Sequence, residues 1–295
     1  MRKRGLLIIV VLCLLAAAGA GALLLRGPKA QEPAWVEPAA QGNVEEAANY
    51  ASMKSLGAAI ARELRGAKGK WAVYVEDLEA GISVRGEYRA TCDDAMVSAS
   101  IIKIFIMAVA YEDIDAGQFS EEALYSDIYE MITYSDNEAT NRLVTVLGHG
   151  DPEVGMARVN EYAQSAGCPS TRMERLMLVE DGTQNYVSAM DCARLLRMMY
   201  EGQCVSAARS EQMLSIMKEQ KWNDYIPKGP PEGTVIAHKG GDLIGIIQGD
   251  VGIVYDEKGP YIVCIICNDP SSFKGCAKKI AAVSRRISDC MTLCA

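Results

Sequence analysis

Three serines in this sequence are each followed three positions later by a lysine, a spacing that can pair a nucleophile with its base. They are Ser100 with Lys103, Ser215 with Lys218, and Ser271 with Lys274. A serine hydroxyl becomes an effective nucleophile when a neighbouring base takes its proton. The chain contains only two histidines and no G-x-S-x-G segment, so lysine is the better candidate base. The pattern alone is common enough to arise by chance.

The surroundings of Ser100 separate it from the other two serines. It opens an apolar stretch of helical spacing, MVSASIIKIFIMAVAYEDIDAG. Residues i and i+3 share a helix face, so the spacing predicts that Lys103 reaches Ser100 Oγ. The positive potential of a helix N-terminus favours an oxyanion and a neutral lysine. Ser215 lies inside a predicted helix and Ser271 at a predicted helix cap, so structural roles explain both.

Two further segments carry polar side chains in a suggestive order. The first is Ser135-Asp136-Asn137, and the second is His238-Lys239-Gly240-Gly241 at the end of a predicted strand. Each has an ordinary structural explanation, a helix cap for the first and a glycine turn for the second. The two segments indicate a catalytic site only because both follow the Ser100-x-x-Lys103 segment in the chain.

In the order S-x-x-K, S-D-N, K-x-G, the three segments resemble the penicillin-recognising serine enzymes, especially class A β-lactamases and their relatives. The resemblance continues in TYSDNEATNRL, in the 171–175 run TRMER and in NYVSAMDCARLL, and it covers about residues 46–290. It implies a β-lactamase/transpeptidase-like fold and a serine hydrolase that uses no cofactor. The implied ligand is a small β-lactam or a peptidoglycan stem peptide.

The resemblance assigns catalytic roles to four residues. Ser100 attacks the lactam or D-Ala-D-Ala-like carbonyl, and Lys103 is the base, directly or through water. Ser135 relays a proton to the leaving nitrogen. Lys239 supplies positive charge for the substrate carboxylate.

The resemblance also assigns substrate-binding roles. Asn137 hydrogen-bonds Lys103 and the substrate amide, and Gly241 lies in the substrate-binding strand. The backbone N–H groups of Ser100 and Asp242 form the oxyanion hole.

Two departures from the family pattern concern turnover and affinity. Met177 occupies the position at which these β-lactamases carry the glutamate that activates the deacylating water, and a thioether cannot act as a base. Among nearby acids, only Glu180 or Asp181 could substitute. Gly240 replaces the Thr or Ser of the K-[TS]-G motif and removes a hydroxyl donor for the substrate.

These features leave three functional hypotheses. The chain is an enzyme that is acylated at Ser100 and turns over slowly, or a non-hydrolytic domain that binds or senses penicillin-like or peptidoglycan ligands. The third hypothesis is an inactive structural relative, which the retained motif residues disfavour.

The elements that must position these residues follow from hydrophobic periodicity. Residues 44–65 read as a helix, Trp71 to Glu87 as a hairpin, and 100–225 as mainly helical. Strand patterns return from about residue 234, and a final helix starts at Phe273. We therefore predict an α/β (α+β type) fold, with an antiparallel sheet built from both ends, flanking helices and an all-helical insert. The expected sheet lobe is 44–97 with 226–295, and the helical lobe is 98–225.

Composition indicates a globular protein: 49% of residues are apolar, 23% are charged, and the net charge of −8 argues against nucleic-acid binding. Arg2-Lys3-Arg4 precedes an apolar run over residues 5–25. That length predicts a membrane anchor over a cleaved signal in segment 1–26, with a linker over 27–43. We therefore expect a cell-membrane protein with an extracytoplasmic catalytic domain, or a secreted one if the segment is cleaved.

The ten cysteines are numerous for this length. The expected location permits disulfides. Cys264 and Cys267 lie in a β-branched run, which places them on opposite faces of a strand and disfavours both a mutual disulfide and a zinc site.

Overall fold

One antiparallel six-stranded sheet organises the computed structural model, which describes residues 34–36 and 44–293. The strands are β1 Ala34–Val36, β2 Lys70–Asp77, β3 Ser83–Tyr88, β4 Met96–Val97, β5 Tyr186–Val187, β6 Val235–Leu243, β7 Ile247–Asp256 and β8 Gly259–Asn268. The sheet order is β1-β3-β2-β8-β7-β6, while β4 and β5 pair separately. Strands from the two ends of the domain therefore meet where β2 pairs with β8, which confirms the predicted sheet.

Eight α-helices lie within the described residues. They are α1 Val44–Leu64, α2 Lys103–Asp115, α3 Glu121–Thr133, α4 Asn137–Leu147, α5 Pro152–Ser165, α6 Ala189–Tyr200, α7 Ala207–Lys218 and α8 Phe273–Leu293. Helices α2 to α7 form the predicted helical insert between β4 and β6. Helices α1 and α8 contact each other and share one hydrophobic cluster with the sheet.

Both faces of the sheet are buried, and β8 shows how the sequence achieves this. Val263, Ile265 and Cys267 pack with α1 and α8, whereas Cys264 and Ile266 pack with the helical insert. Alternate residues of a strand point to opposite faces, and a continuous apolar run therefore supplies two cores at once. The prediction that Cys264 and Cys267 lie on opposite faces is confirmed. Seven buried cysteines are free thiols: Cys92, Cys168, Cys192, Cys204, Cys264, Cys267 and Cys276.

Helix α2 holds the Ser100 segment in place because the helix is buried on nearly every side. Eleven of its 13 residues are buried, including Phe105 and Tyr111. A helix that is apolar all round requires protein on all its faces. A single 3-10 turn, Ala99–Ile102, precedes it and carries Ser100. The position of Ser100 is therefore fixed by one of the most enclosed helices of the fold.

Two N-terminal predictions need correction. Part of the expected linker forms a strand instead, since Ala34–Val36 pairs with β3 at the sheet edge. The predicted membrane location is not upheld, because no helix in the described part of the chain is long and apolar enough to cross a bilayer. The expected span itself, residues 5–25, lies outside the described residues.

Candidate active site

A pocket of about 310 Å³ opens between the 3-10 turn, the start of α4 and strand β6. Its lining consists of Ser100, Tyr134, Ser135, Asn137, Trp222, Tyr225, Lys239, Gly240, Gly241 and Asp242. These positions come from segments separated by more than 100 residues in the sequence. All the site residues predicted from the sequence line this pocket except Lys103. Lys103 is buried behind the lining and forms hydrogen bonds to two lining residues, Ser135 and Asn137.

Lys103 is fully buried, and its side-chain nitrogen is held by the S-D-N segment. Its Nζ donates to Ser135 O at 2.7 Å and to Asn137 Oδ1 at 2.8 Å. Longer contacts reach Asp136 O at 3.3 Å and Ser135 Oγ at 3.4 Å. Within the described residues, no hydrogen bond joins Lys103 Nζ to Ser100 Oγ. Catalytic hydrogen bonds often tighten only when substrate binds, so this geometry is compatible with a base.

The two lysines of the site have lowered pKa values for related reasons. Burial, and then the positive charge of Lys239, lowers the pKa of Lys103 to about 6, against the opposing effect of Asp136. Burial lowers the pKa of Lys239 to about 8, while Asp250 and Asp242 oppose the shift. Desolvation disfavours the charged form of an amine. At neutral pH the site therefore combines a mostly neutral Lys103 with a mostly charged Lys239.

The S-D-N segment serves both the structure and the site. Asp136 is the N-cap of α4, and its carboxylate accepts from Ala139 N at 2.7 Å. Ser135 adopts a left-handed conformation with φ of 58°, which is costly for a residue with a Cβ. In that conformation its Oγ accepts from Lys239 Nζ at 2.9 Å. The Asp136 cap thus fixes the turn that precedes α4. On either side of Asp136, Ser135 contacts both Lys103 and Lys239, and Asn137 contacts Lys103.

Gly241 is required by a close approach between β6 and the Ser100 turn. A Cβ at this position would lie 2.8 Å from Ser98 O and 2.9 Å from the backbone nitrogens of Ser100 and Ile101. These are backbone atoms, which cannot move aside cheaply. The backbone of β6 therefore runs directly against the start of the catalytic segment, and Asp242 is the next residue along that strand.

The sequence matches the model of the Beta-lactamase enzyme family over residues 55–126 and 126–291. The chain belongs to this family. The matched residues, 55–291, include every residue that lines the pocket. The catalytic fold is accordingly that of a penicillin-recognising serine hydrolase of β-lactamase type.

Solved structures of family members share this fold. PBP-A is 25% identical, with a TM-score of 0.72 over 82% of this chain and 97% of PBP-A. A β-lactamase from Sphaerobacter thermophilus is 21% identical, with a TM-score of 0.70 over 83% of this chain and 98% of that one. A mutant of PBP-A, 25% identical over the same shares with a TM-score of 0.70, was solved as an acyl-enzyme complex with penicillin G. No curated protein sequence matches the chain.

The loop that carries Met177 is anchored to the helical insert by two asparagine side chains. Asn141 donates to Met177 O at 3.0 Å and accepts from Met177 N at 2.8 Å. Asn160 makes the same pair of bonds to the backbone of Met173. The Met177 side chain is buried in the core of the helical insert. The backbone of this loop is therefore well fixed even though residue 177 is apolar.

The acids considered as substitute bases lie away from the pocket lining. Glu180 and Asp181 are exposed, and neither lines the Ser100 pocket. A hydrogen bond from the Thr183 backbone N–H keeps the pKa of Asp181 below its ordinary value. Among the described residues, Asp242 is the only carboxylate in the lining, and it accepts from Tyr225 Oη at 3.3 Å.

The sequence patterns indicated neither three aromatic residues of the pocket nor one buried hydrogen-bonded pair. Tyr134, Trp222 and Tyr225 line the pocket, yet each stands alone in a segment without periodicity. His238 Nδ1 lies 3.0 Å from Asp250 Oδ1 beneath β6. In the sequence, His238 was considered only as one of two histidines and as the residue before Lys239. Nothing in the local pattern around Asp250 indicated a partner 12 residues away.

Proposed function

We propose that the chain is a serine acyl-enzyme in which Ser100 attacks the amide carbonyl of a β-lactam or a D-Ala-D-Ala-like peptide. The observation that carries this proposal is the arrangement around Lys103. An amine with a pKa of about 6 is buried beside a pocket that contains Ser100, Ser135 and Lys239. A neutral amine at physiological pH is the form that can accept the serine proton.

In the proposed acylation, Ser100 Oγ bonds to the carbonyl carbon while its proton passes to Lys103, directly or through one water. The carbonyl oxygen becomes negative, and the backbone N–H groups of Ser100 and Asp242 are the proposed donors to it. The C–N bond then breaks as Ser135 delivers its proton to the leaving nitrogen and takes in its place the proton that Lys103 had accepted. Ser135 Oγ lies 3.4 Å from Lys103 Nζ and 2.9 Å from Lys239 Nζ, a geometry that suits this relay.

We propose further that the acyl group leaves Ser100 slowly. Hydrolysis of the ester needs a base that activates water on the acyl-enzyme. Met177 stands at the sequence position of that base, and the exposed Glu180 and Asp181 do not line the pocket. The lost hydroxyl at Gly240 should weaken noncovalent affinity without preventing attack by Ser100. The Asp242 carboxylate already accepts a hydrogen bond from Tyr225 Oη. We therefore assign Asp242 only its backbone N–H as an oxyanion-hole donor, and not its carboxylate as the deacylating base.

The same observations favour a second candidate function, a domain that captures penicillin-like or peptidoglycan ligands without useful turnover. The two functions differ in the fate of the acyl group. Treatment with a fluorescent penicillin and, separately, a chromogenic cephalosporin distinguishes them, with Ser100→Ala and Ser215→Ala beside the wild type.

Our proposal predicts stable labelling of the wild type and Ser215→Ala, loss of label in Ser100→Ala, and little colour beyond one equivalent. Rapid, sustained colour would show that deacylation is efficient and would contradict slow turnover. Labelling that persists in Ser100→Ala, or that is absent from the wild type, would overturn the role of Ser100. A label that survives for days with no product would favour the ligand-capturing domain.

A further inference from the structure

A second cavity, of about 590 Å³, adjoins the catalytic pocket on the other side of the β6 edge. It lies between residues 222–228 and the first turns of α8. The two spaces share Trp222, Tyr225 and Asp242 as walls. The cavity therefore borders the pocket that contains Ser100.

The cavity lies on the side of the pocket from which the leaving group departs. In the proposed mechanism, the leaving nitrogen faces Ser135. Trp222 Nε1 donates to Tyr134 O at 2.9 Å, which fixes the indole ring next to that serine. A ligand portion that extends past Ser135 along β6 therefore meets Trp222 and then the second cavity.

Gly240 leaves room beside Tyr225, a residue that lines both spaces. Its missing side chain faces away from Ser100 and towards Tyr225, since a Cβ would lie 3.5 Å from Tyr225 Cδ2. A Cβ alone would fit there at ordinary contact distance, but a branched side chain would fill the gap. The departure from the K-[TS]-G pattern thus removes bulk at the boundary of the second cavity.

The walls of the cavity combine apolar surface with unpaired positive charge. Trp222 and Phe273 expose 60% and 39% of their surface. Lys228, Lys274 and Lys278 also line the cavity, and none of them has an ion-pair partner in the described part of the chain. Lys274 and Lys278 are four residues apart on α8, where like charges repel each other. Asp224 and Asp242 are the acidic residues of the lining, so the lysines outnumber them.

We propose that this cavity is a subsite for the leaving-group half of an extended peptide substrate whose departing residue bears a side-chain carboxylate. The aliphatic part of that residue packs on Trp222 and Phe273, and its carboxylate binds Lys274 and Lys278. This inference rests on the proposed function, because the direction of the ligand follows from acylation at Ser100. On acylation, the departing residue takes the proton from Ser135 and leaves as a free amine.

Calorimetric titration of the full-length Ser100→Ala chain tests the subsite without any covalent step. The probes are N-acetyl-D-alanyl-D-glutamate, its isosteric D-glutamine counterpart and the D-lysine counterpart. We expect the glutamate peptide to bind about tenfold more tightly than the glutamine peptide, and the lysine peptide to bind most weakly. Adding Lys274→Gln and Lys278→Gln should bring the glutamate and glutamine peptides within about twofold of each other.

Arg65→Gln with Lys258→Gln is the matched control, because both residues are exposed and neither lines the cavity. This pair should keep the full preference for glutamate. Equal affinities in the parent, no binding of any probe, or a preference that survives Lys274→Gln/Lys278→Gln would overturn the subsite. Fluorescent-penicillin labelling of the wild type tests the proposed function separately. A labelled Ser100 without a glutamate preference rejects only the subsite. A glutamate preference without labelling rejects acylation at Ser100 and the leaving-group role of the cavity, and leaves only a carboxylate-binding cavity.

Discussion

Lys103 shows how burial favours the neutral form of an amine. An isolated lysine is charged at neutral pH, but Lys103 has no exposed surface and faces a second lysine. Its hydrogen bonds go to neutral oxygens of Ser135, Asp136 and Asn137, and the nearby charge of Asp136 offsets its desolvation only in part. The geometry therefore favours a neutral amine where the chemistry needs one.

The two lysine pKa values predict a bell-shaped pH profile for acylation. Below about pH 6 Lys103 is protonated and cannot accept the Ser100 proton. Above about pH 8 Lys239 loses the charge that binds the substrate carboxylate. The rate of labelling by fluorescent penicillin should therefore rise through pH 6 and fall above pH 8.

Replacing Lys239 with arginine separates the two limbs of that profile. A guanidinium stays charged throughout this range, so Lys239→Arg should keep the rise near pH 6 and lose the fall above pH 8. A rate that is flat across pH 6 in the wild type would contradict the role of Lys103. An unchanged upper limb in Lys239→Arg would contradict the role of Lys239.

At the scale of elements, the contact between β6 and the Ser100 turn leads to a pair of matched substitutions. Gly241→Ala places a methyl group 2.8 Å from Ser98 O, whereas Gly240→Ala places one at an ordinary 3.5 Å from Tyr225. Overpacking of this kind costs about 1–3 kcal/mol. We expect Gly241→Ala to lower the free energy of unfolding in urea by that amount and to slow acylation strongly.

Gly240→Ala is the control for that experiment. It should unfold within about 0.5 kcal/mol of the wild type, as substitutions without a clash usually do, and it should still be labelled at Ser100. Equal stability of the two variants would show that β6 can shift away from the catalytic turn.

A second prediction at the scale of elements concerns the loop that carries Met177, whose backbone is held by the side chain of Asn141. Asn141→Ala removes both hydrogen bonds to the Met177 backbone and leaves buried polar groups unsatisfied, which costs about 1–3 kcal/mol. Urea unfolding should show this loss, and the amide of Met177 should exchange faster with solvent. Slow exchange of that amide in Asn141→Ala would mean that other contacts hold the loop.

At the scale of the whole molecule, the sequence predicted the sheet because its strands are apolar, β-branched and separated by turn residues. It pointed to Ser100, Ser135 and Lys239 as one group because three segments occur in the order of the family motifs, and the structure places all three residues in one pocket. The short edge strand Ala34–Val36 was missed, since three residues between prolines show no alternation.

The second cavity and the aromatic walls could not be found from sequence patterns. Trp222 and Phe273 are 51 positions apart and line one cavity only because the start of α8 lies beside residues 222–228. Likewise, Asp250 and His238 form a pair only through the register of β6 and β7. Contacts set by tertiary packing leave no local periodic signal.

The most direct test of the account is the lifetime of the acyl group on Ser100. Intact-protein mass spectrometry after a pulse of penicillin G follows the adduct in the wild type, in Met177→Glu and in Leu178→Glu, whose exposed side chain provides the matched control. We predict one adduct per chain, mapped to Ser100, with a half-life at least about tenfold shorter in Met177→Glu and unchanged in Leu178→Glu, since a placed general base contributes about 10²–10⁴-fold. A wild-type adduct that is lost as fast as that of Met177→Glu, or one that never forms on Ser100, would contradict the account.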